Sequence, residues 1–356
     1  MTYLDYQATT PLAPEAREEM LRWLDGPDSD SFGNPHSAHR MGRNAAAAVE
    51  LARERVAMLF PAGGKVVFTG SATEAINLAM RGSGQGGTIA ASAIEHAAVL
   101  DTARAIGPLH VIPVSADGIA DPASLLPADT RLIAIMQVNN EIGTVQPVGE
   151  WHTRAKSLGA LLLCDAVQGA GRLAPPSADM IAVSAHKLHG PKGIGALWVR
   201  DGVELEPQVT GGGQQQGLRS GTLSPALCAG FGVAAKLAVE RREEDAAHVE
   251  ALWTRARAMF DGWTLNGSAE HRWHGNLNLA LDGLDVARLM SDCRDVMLSA
   301  GSACASGSGR PSHVLRALGL SDAEAKSSIR LGFGRYTTME DLEAAAEKLI
   351  RAASQQ

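Results

Sequence analysis

The sequence is poor in cysteine and aromatic residues, and it lacks a long apolar run. It has four cysteines among 356 residues, and none forms a Cys-x-x-Cys pair, so the pattern predicts neither a zinc ribbon nor a thioredoxin-type motif. Few, irregularly spaced cysteines are typical of a reducing compartment, so we expect a cytoplasmic protein. No stretch of about 18 apolar residues is present, and no membrane span is expected. The first residues carry Asp5 and no apolar segment, which predicts no secretory signal.

The chain also has fewer basic than acidic residues. The chain has 32 lysines and arginines against 39 acidic residues, which gives a formal net charge of −7, and no basic tail is visible. This balance argues against nucleic acid as a direct partner. The apolar content of 45% is ample for a core, and the length favours two domains.

Short apolar segments alternate with helical patterns over the first two thirds of the chain. The pattern predicts helices over residues 44–60 and 71–80, where Ser71-x-x-Glu74 suggests a capping box. Apolar strands are predicted over residues 65–69, 88–92, 131–138, 161–164 and 180–184. Apolar strands that alternate with helices indicate a mainly parallel sheet flanked by helices, and therefore an α/β fold.

A charged run at residues 240–245 ends a helix predicted from Ser224 to about Asp245, and it suggests a domain boundary. We expect a large α/β domain over residues 13–243. Residues 1–12 and 244–356 are expected to form a smaller α+β domain, with a strand over 276–281 and a last helix over 338–353.

Polar residues follow the predicted strands at the point where each strand ends. Ligands bind at the carboxyl ends of strands in such sheets, so these residues predict a binding site: His96, Asn140, Asp165, Ser184 and Lys187.

Lys187 is the most informative of these residues. It lies in the segment SAHKLHGPKG, directly after an apolar strand. Burial lowers the pKa of a lysine toward the neutral amine, which forms covalent bonds with carbonyl compounds and with pyridoxal phosphate. A lone lysine here would be read as a surface residue of a turn, but the polar groups at neighbouring strand ends favour a cofactor anchor.

Other residues suit the remaining parts of such a cofactor. The turn before the helix at residue 71 offers free N–H groups to a phosphate, and Ser184 and His186 add donors. Thr73 fits either a phosphate ligand or a helix cap. A carboxylate at Asp165 suits a protonated pyridine nitrogen, although a helix cap is also open for it.

Three further residues have more than one reading. Gln168 and Asn140 can donate to a ring oxygen or to the imine region. His96 can stack on a ring and move protons, or it is an ordinary core or surface histidine.

Cys304 lies in a run of small residues over positions 299–307, which predicts an accessible thiol on a mobile loop. Cys164, Cys228 and Cys293 are expected to be buried and inert. The His36/His39 and His186/His189 pairs lack further ligands, so no metal site is predicted.

These motifs, in this order, resemble the pyridoxal-phosphate-dependent cysteine desulfurases, within the class V aminotransferase group of fold type I. The resemblance covers nearly the whole chain and rests on YLDYQATTP (3–11), FGNPHSAH (32–39), GSATEAIN (70–77), NNEIGTVQP (139–147), DAVQ (165–168), SAHKLHGPKG (184–193), RSGT (219–222), GSAC (301–304) and IRLGFGRYTT (329–338). Gln215-Gln216 depart from a Glu-Arg pair common in the family, which bears on the subunit interface.

The resemblance implies a role for each site residue. Lys187 would carry pyridoxal 5′-phosphate, His96 would stack on its ring, and Asp165 would bind its nitrogen. Gln168 and Asn140 would lie near the ring oxygen. Phosphate ligands would be Ala72, Thr73, Ser184 and His186, with Thr222 from the neighbouring subunit of a homodimer. Arg330 would bind the substrate carboxylate with Asn34 nearby, and Cys304 would take the sulfur.

The resemblance also implies the reaction. L-cysteine is converted to L-alanine, and its sulfur forms a persulfide on Cys304 that passes to an acceptor protein. The acceptor pathway, iron–sulfur cluster assembly or tRNA thiolation among others, stays open. The alternative is a selenocysteine lyase or another class V aminotransferase-type enzyme, although an aminotransferase has no need of Cys304. A catalytically silent binding protein on the same fold is disfavoured by the intact set of Lys187, Asp165 and His96.

Overall fold

The computed structural model describes residues 1–84, 86–301 and 311–356. Within these ranges, none of the helices combines the length and the apolar character needed to cross a membrane. The described strands are β1 Thr2–Tyr3, β2 Gly64–Thr69, β3 Thr88–Ser92, β4 Leu109–Ile112, β5 Thr130–Met136, β6 Leu161–Asp165, β7 Met180–Ser184, β8 Gly195–Arg200, β9 Thr264–Leu265, β10 Asn276–Ala280, β11 Val296–Met297, β12 Ser299–Ala300 and β13 Ser328–Gly332.

Helices cover both faces of the largest sheet. Their bounds are α1 Pro14–Leu21, α2 Arg40–Ala57, α3 Ala72–Gly82, α4 Ala97–Ile106, α5 Val148–Ser157, α6 Pro225–Glu240, α7 Arg242–Met259, α8 Val286–Asp292, α9 His313–Ala317, α10 Asp322–Lys326 and α11 Met339–Ala353. Short 3₁₀ turns cover Ala185–Lys187 and Gln215–Gly217.

The largest sheet has seven strands in the order β2-β8-β7-β6-β5-β3-β4. Strands β4, β3, β5, β6 and β7 are parallel, whereas β8 is antiparallel to both of its neighbours. The predicted α/β fold is therefore confirmed. The parallel strands are apolar runs because helices cover both of their faces, and all five residues of β3 and of β7 are buried.

Two features of this region were not predicted correctly. Strands β4 and β8 were not predicted, because β4 is mostly half-exposed and β8 follows a glycine-rich turn. The single helix predicted from Ser224 to Asp245 is wrong, since a break at Arg241 separates α6 from α7. Ser224 does begin the helix as predicted, and its Oγ accepts a hydrogen bond from the Leu227 N–H.

A second, antiparallel sheet has the order β12-β13-β10-β9, and β1 pairs with β11. An apolar cluster beside it draws on α7, α8 and α11 together with Leu4 and Val138. The predicted strand over 276–281 and the last helix are both present, the helix being capped by Thr338. The large sheet has its own apolar clusters, which include the fully buried Phe68, Trp151 and Trp198.

Strand order places the site. Strands β5, β6 and β7 are adjacent and parallel, so the residues that follow them meet at one edge of the sheet. Arg330 on β13 reaches this edge, where its Nη1 donates to the main-chain oxygen of Asn140 at 3.0 Å.

Candidate active site

A cavity of about 300 Å³ opens at the carboxyl ends of β5, β6 and β7. Of the residues predicted from the sequence, those that line it are Ala72, Thr73, His96, Asn140, Asp165, Gln168, Ser184, His186, Lys187 and Arg330. Residues from distant parts of the chain thus share one space.

Lys187 follows β7 on the 3₁₀ turn and is half-buried. Its Nζ donates to the main-chain oxygens of Gln7 at 2.6 Å and Ala8 at 2.9 Å. The N-terminal segment therefore holds the amine at the cavity, a contact that the sequence analysis did not predict.

The first turn of α3 supplies main-chain N–H groups to the cavity wall at Ala72 and Thr73. Ser71 is the helix cap, and its Oγ accepts a hydrogen bond from the Glu74 N–H at 3.2 Å. Because Ser71 caps the helix, Thr73 is not needed for that role and is left for a ligand.

The reciprocal half of the predicted capping box is wrong. The Glu74 carboxylate accepts from the N–H of Gly70 at 2.6 Å, one residue before Ser71, and Arg219 donates to it at 2.7 Å. Burial would raise the pKa of Glu74, but the hydrogen bonds from Arg219 and Gly70 hold it below its ordinary value. Arg219, in the RSGT motif, thus fixes the turn before α3.

Gly195, which the sequence analysis did not single out, supports the same turn from below. A Cβ atom at this position would lie 2.7 Å from the Ser71 carbonyl carbon and 2.9 Å from the Ala72 nitrogen. Real Cβ atoms do not approach main chain so closely, so only glycine lets β8 pass under the start of α3. Gly195 does not line the cavity itself, but its lack of a side chain allows the start of α3 to lie against β8.

Ser184 and His186 add polar side chains beside this turn. Ser184 is buried, and His186 Nδ1 lies 3.1 Å from Thr9 Oγ1. Burial, helped by the charges of Lys187 and Lys192, lowers the pKa of His186 to about 4, so its ring is neutral at neutral pH. We call Ala72, Thr73, Ser184 and His186 the donor region.

Asp165 ends β6 at the cavity, and its Oδ1 accepts a hydrogen bond from the Val167 N–H at 2.9 Å. Burial raises the pKa of its carboxyl, while His96 and Lys187 act in the opposite direction. The residue does not begin a helix, so the alternative reading as a helix cap is wrong.

Two further buried carboxyls stand close behind the cavity, and the sequence analysis named neither. Glu95 Oε1 accepts from Ser92 Oγ at 2.6 Å and from the Met136 N–H at 2.8 Å, and burial raises its pKa to about 8. Burial also raises the pKa of Glu141, whose Oε2 accepts from Ser312 Oγ at 2.5 Å. We call Glu95, Glu141 and Asp165 the carboxyl region.

His96 begins α4, and its Nδ1 accepts a hydrogen bond from the Ala98 N–H at 3.1 Å. In the neutral ring the proton therefore sits on Nε2. The histidine lines the cavity, so its reading as an unrelated core or surface residue is disfavoured.

Arg330 is fully buried at the cavity wall. Its Nη2 donates to Asp5 Oδ1 at 2.6 Å and to Ser299 Oγ at 3.0 Å. Among the described residues Nε has no hydrogen-bond partner. Three of its five N–H groups thus hold the guanidinium rigidly, and the N–H of Nε and the second N–H of Nη1 are left for a ligand.

Two predicted residues do not line the cavity, and a third is not among the described residues. Asn34 is exposed, does not line the cavity, and uses its Oδ1 to accept from the His36 N–H at 2.9 Å. Thr222 is also exposed and away from the cavity. Cys304 lies outside the described residues. The described segment after it does contact the site, since His313 Nε2 lies 3.0 Å from the Glu95 main-chain oxygen.

Comparison with known proteins places this arrangement in a family. Residues 2–345 match the family described as Aminotransferase class-V. The cysteine desulfurase IscS of Anaeromyxobacter sp. (strain Fw109-5) is 43% identical over 365 residues, which cover 96% of this chain and 89% of that protein. The chain belongs to the cysteine desulfurases of the class-V aminotransferase family.

Solved structures agree with this assignment. A NifS-like protein superimposes with a TM-score of 0.91 at 31% identity, with all of both chains covered. A structure titled "SspA in complex with cysteine" gives a TM-score of 0.82 at 34% identity and covers 95% of this chain and all of that one.

As a cysteine desulfurase family member, the protein depends on pyridoxal 5′-phosphate, and the residues of the cavity fit this cofactor. The N–H groups at the start of α3, where Ala72 and Thr73 line the cavity, suit a phosphate. Asp165 suits a pyridine nitrogen, and the Lys187 amine is within the same cavity.

Proposed function

We propose that the protein converts L-cysteine to L-alanine and takes the sulfur onto Cys304 as a persulfide, which it then passes to an acceptor protein. The observation that carries this proposal is the convergence of Lys187, Asp165 and Arg330 on one cavity. The amine, the carboxyl and the guanidinium match what the cofactor aldehyde, the cofactor ring and an amino-acid carboxylate each require.

We assign roles to the residues of the donor region and to Asp165. The N–H groups at Ala72 and Thr73, with Ser184 and neutral His186, would hold the phosphate. The Asp165 carboxyl would hold a proton on the ring nitrogen, and Gln168 and Asn140 would donate near the ring oxygen. When bound, the cofactor supplies an electron sink for the substrate's α-carbon.

The remaining residues act on the substrate. Arg330 binds its carboxylate, and its contacts with Asp5 and Ser299 hold it in place. Lys187 Nζ moves the proton at the substrate's α-carbon, and His96 Nε2 moves a proton at the substrate sulfur.

Sulfur transfer balances without an outside oxidant. The Cys304 sulfur forms a bond with the substrate sulfur while the substrate C–S bond breaks. The electron pair of that bond stays on carbon, which takes up a proton to become the alanine methyl group. The thiol is thereby oxidised to the persulfide level, and the substrate carbon is reduced.

The test compares Cys304→Ser with Cys228→Ser in the holoenzyme, since Cys228 is a buried free thiol on α6. We expect Cys304→Ser to keep the bound-cofactor absorbance and lose both alanine and sulfide release from L-cysteine. Cys228→Ser should keep all three. Alanine release at the wild-type rate by Cys304→Ser would exclude the persulfide route, and comparison with selenocysteine as substrate tests the lyase alternative.

We also propose a homodimer in which Thr222 of one subunit reaches the phosphate in the other. In support, Thr222 is exposed and lies off the cavity of its own chain. Mixing inactive Lys187→Ala subunits with Thr222→Ala subunits should restore one complete site in each mixed dimer. Unchanged cofactor affinity in mixed and unmixed samples would contradict this arrangement. Asn34, proposed near the substrate, is also exposed and off the cavity of its own chain, so it would reach the substrate from the neighbouring subunit.

We propose the domain division of residues 13–243 against 1–12 and 244–356. The helix break at Arg241 and the separate apolar cluster of the second sheet support it. A reducing, cytoplasmic setting is proposed from the free thiols Cys164, Cys228 and Cys293. Which acceptor takes the sulfur is left to direct transfer assays.

A further inference from the structure

Arg172 does not line the cavity, but it donates hydrogen bonds to two residues that do. It lies four positions after Gln168 in the sequence. Its Nη1 donates to the main-chain oxygen of Gln168 at 2.8 Å and to the side-chain Oε1 at 3.1 Å. Its Nη2 donates to the main-chain oxygen of Lys187 at 2.6 Å. One guanidinium therefore joins two residues that line the cofactor cavity.

The contact with Oε1 decides which way the Gln168 amide points. A guanidinium only donates hydrogen bonds, so the amide must turn its oxygen toward Arg172 and its NH₂ group away from it. Nε2 is left on the opposite side, where it donates to the Gln7 main-chain oxygen at 3.0 Å. If the amide turned over, Arg172 would face an NH₂ group, and the two oxygens at Gln7 and Gln168 would face each other.

The same carbonyl connects the amide to the reactive amine. The Gln7 oxygen accepts from Gln168 Nε2 and also from Lys187 Nζ at 2.6 Å. The donor end of the amide and the amine thus lie on one acceptor. Arg172 sets the orientation of the Gln168 amide. That orientation decides whether the amide NH₂ group or the amide oxygen lies beside the Lys187 amine, where the cofactor would be attached.

Arg172 is itself held firmly. Its guanidinium carbon lies 5.6 Å from the centre of the Trp273 ring, which supports a cation–π contact. Burial lowers the pKa of Arg172 to about 10, with Asp245 acting in the opposite direction, so it stays charged at neutral pH. A lysine in its place has a single nitrogen and cannot present a rigid fork to both acceptors.

We propose that Arg172 is a positioning residue for the desulfurase reaction: it fixes the Gln168 amide with its NH₂ group beside Lys187 and so tunes the proton affinity of the lysine–cofactor linkage. The proposal rests on the proposed function of Lys187 as the cofactor anchor. A donor beside the ring oxygen stabilises the state in which the linkage has lost its proton, so its loss raises the pKa of the linkage.

The experiment titrates the visible absorbance of the bound cofactor with pH in the holoenzyme. We expect Arg172→Met and Gln168→Ala each to raise the apparent pKa of the absorbance change, by about one unit. Because Arg172 acts through Gln168, the double variant should show about the same shift as Gln168→Ala alone. Arg172→Lys should give an intermediate shift, and it also serves if Arg172→Met does not fold.

A control variant separates this role from a structural one. Arg335 belongs to the same neighbourhood and pairs with Asp245 at 2.6 Å. Arg335→Met should lower the thermal unfolding midpoint as Arg172→Met does, yet leave the absorbance titration at the wild-type pKa. Equal shifts in both variants, no shift in the Arg172 variants, or full additivity with Gln168→Ala would each overturn the proposal.

The proposed function is tested independently of the role of Arg172. If wild-type holoenzyme releases no alanine from L-cysteine, the desulfurase assignment is wrong whatever the titration shows. If it releases alanine and the Arg172 variants titrate like wild type, the desulfurase assignment stands and only the role of Arg172 is lost.

Discussion

The donor region and the carboxyl region of one cavity are built in opposite ways. The donor region offers neutral groups, namely main-chain N–H groups at the start of α3, the Ser184 hydroxyl and an imidazole whose pKa is lowered to about 4. In the carboxyl region, burial raises the pKa of Glu95, Glu141 and Asp165. Neutral hydrogen-bond donors suit a phosphate dianion, whereas burial opposes negative charge on the side chains of the carboxyl region. The tests below disturb one region and leave the other intact.

Asp165→Asn should have the largest effect. The amide keeps the shape of the side chain but removes the charge that holds a proton on the ring nitrogen. We expect the turnover of L-cysteine to fall by about 10²–10³-fold, on the order of losses seen when a preorganised electrostatic group is removed. The measurement is the rate of alanine release per bound cofactor.

Asp179→Asn is the matched control for this change. Asp179 is also a buried carboxyl, and its Oδ2 accepts from the Leu162 N–H at 2.8 Å, but it does not line the cavity. It should lower stability and leave the rate per bound cofactor near wild type. A rate for Asp165→Asn within about threefold of wild type would remove Asp165 from the chemistry.

Glu95→Gln should change how stability depends on pH. A folded-state pKa of about 8, raised by burial, means that the folded protein holds a proton which the unfolded chain loses near its ordinary value of 4.5. Stability is therefore greatest below the unfolded value and is lost as pH rises toward 8, at up to about 1.4 kcal/mol per pH unit. Glutamine does not titrate, so the variant should lose less stability across this window.

The measurement is the thermal unfolding midpoint of the apoprotein between pH 5 and pH 9, with the exposed Glu150→Gln as control. The Glu150 variant should follow wild type at every pH. Parallel curves for Glu95→Gln and wild type would show that Glu95 does not hold a proton in the folded state.

Gly195→Ala disturbs the donor region alone. The added Cβ would meet the main chain of Ser71 and Ala72, so the start of α3 must shift. We expect a loss of about 1–3 kcal/mol in stability, as for other overpacked sites, and about tenfold weaker pyridoxal phosphate binding. Gly149→Ala, where no atom lies within 4 Å of the added Cβ, is the control. Unchanged cofactor affinity in Gly195→Ala would show that the position of the start of α3 does not decide phosphate binding.

The contrast between the two regions also shows how far the sequence could be read. Strand-end residues such as Asp165 and Lys187 were predictable, because parallel strands bring such positions to one edge. Gly195 was not, since its role depends on β8 packing closely against the start of α3, and no local pattern reveals that contact. The orientation of Gln168 depends on Arg172 and Gln7, which only the folded chain brings together.

Glu95 illustrates a different limit. His96 was predicted to move protons, whereas Glu95 beside it belongs to a polar pair of the kind found in any exposed loop. Its burial follows from the packing of β3 against β5, where the Met136 N–H donates to it. A carboxylate that the sequence suggests is solvated is buried by the tertiary structure, and this burial raises its pKa so that it keeps its proton.

Ser71→Ala should have the smallest effect and sharpens the comparison most finely. It removes the cap on the Glu74 N–H, as Ser224→Ala removes the cap on the Leu227 N–H of α6. Each loss should cost about 1 kcal/mol of stability. Ser71 lines the cavity and Ser224 does not, so only Ser71→Ala should also weaken cofactor binding, by a few-fold. If the two variants bind the cofactor equally well at equal stability, the start of α3 contributes to the fold but not to the donor region.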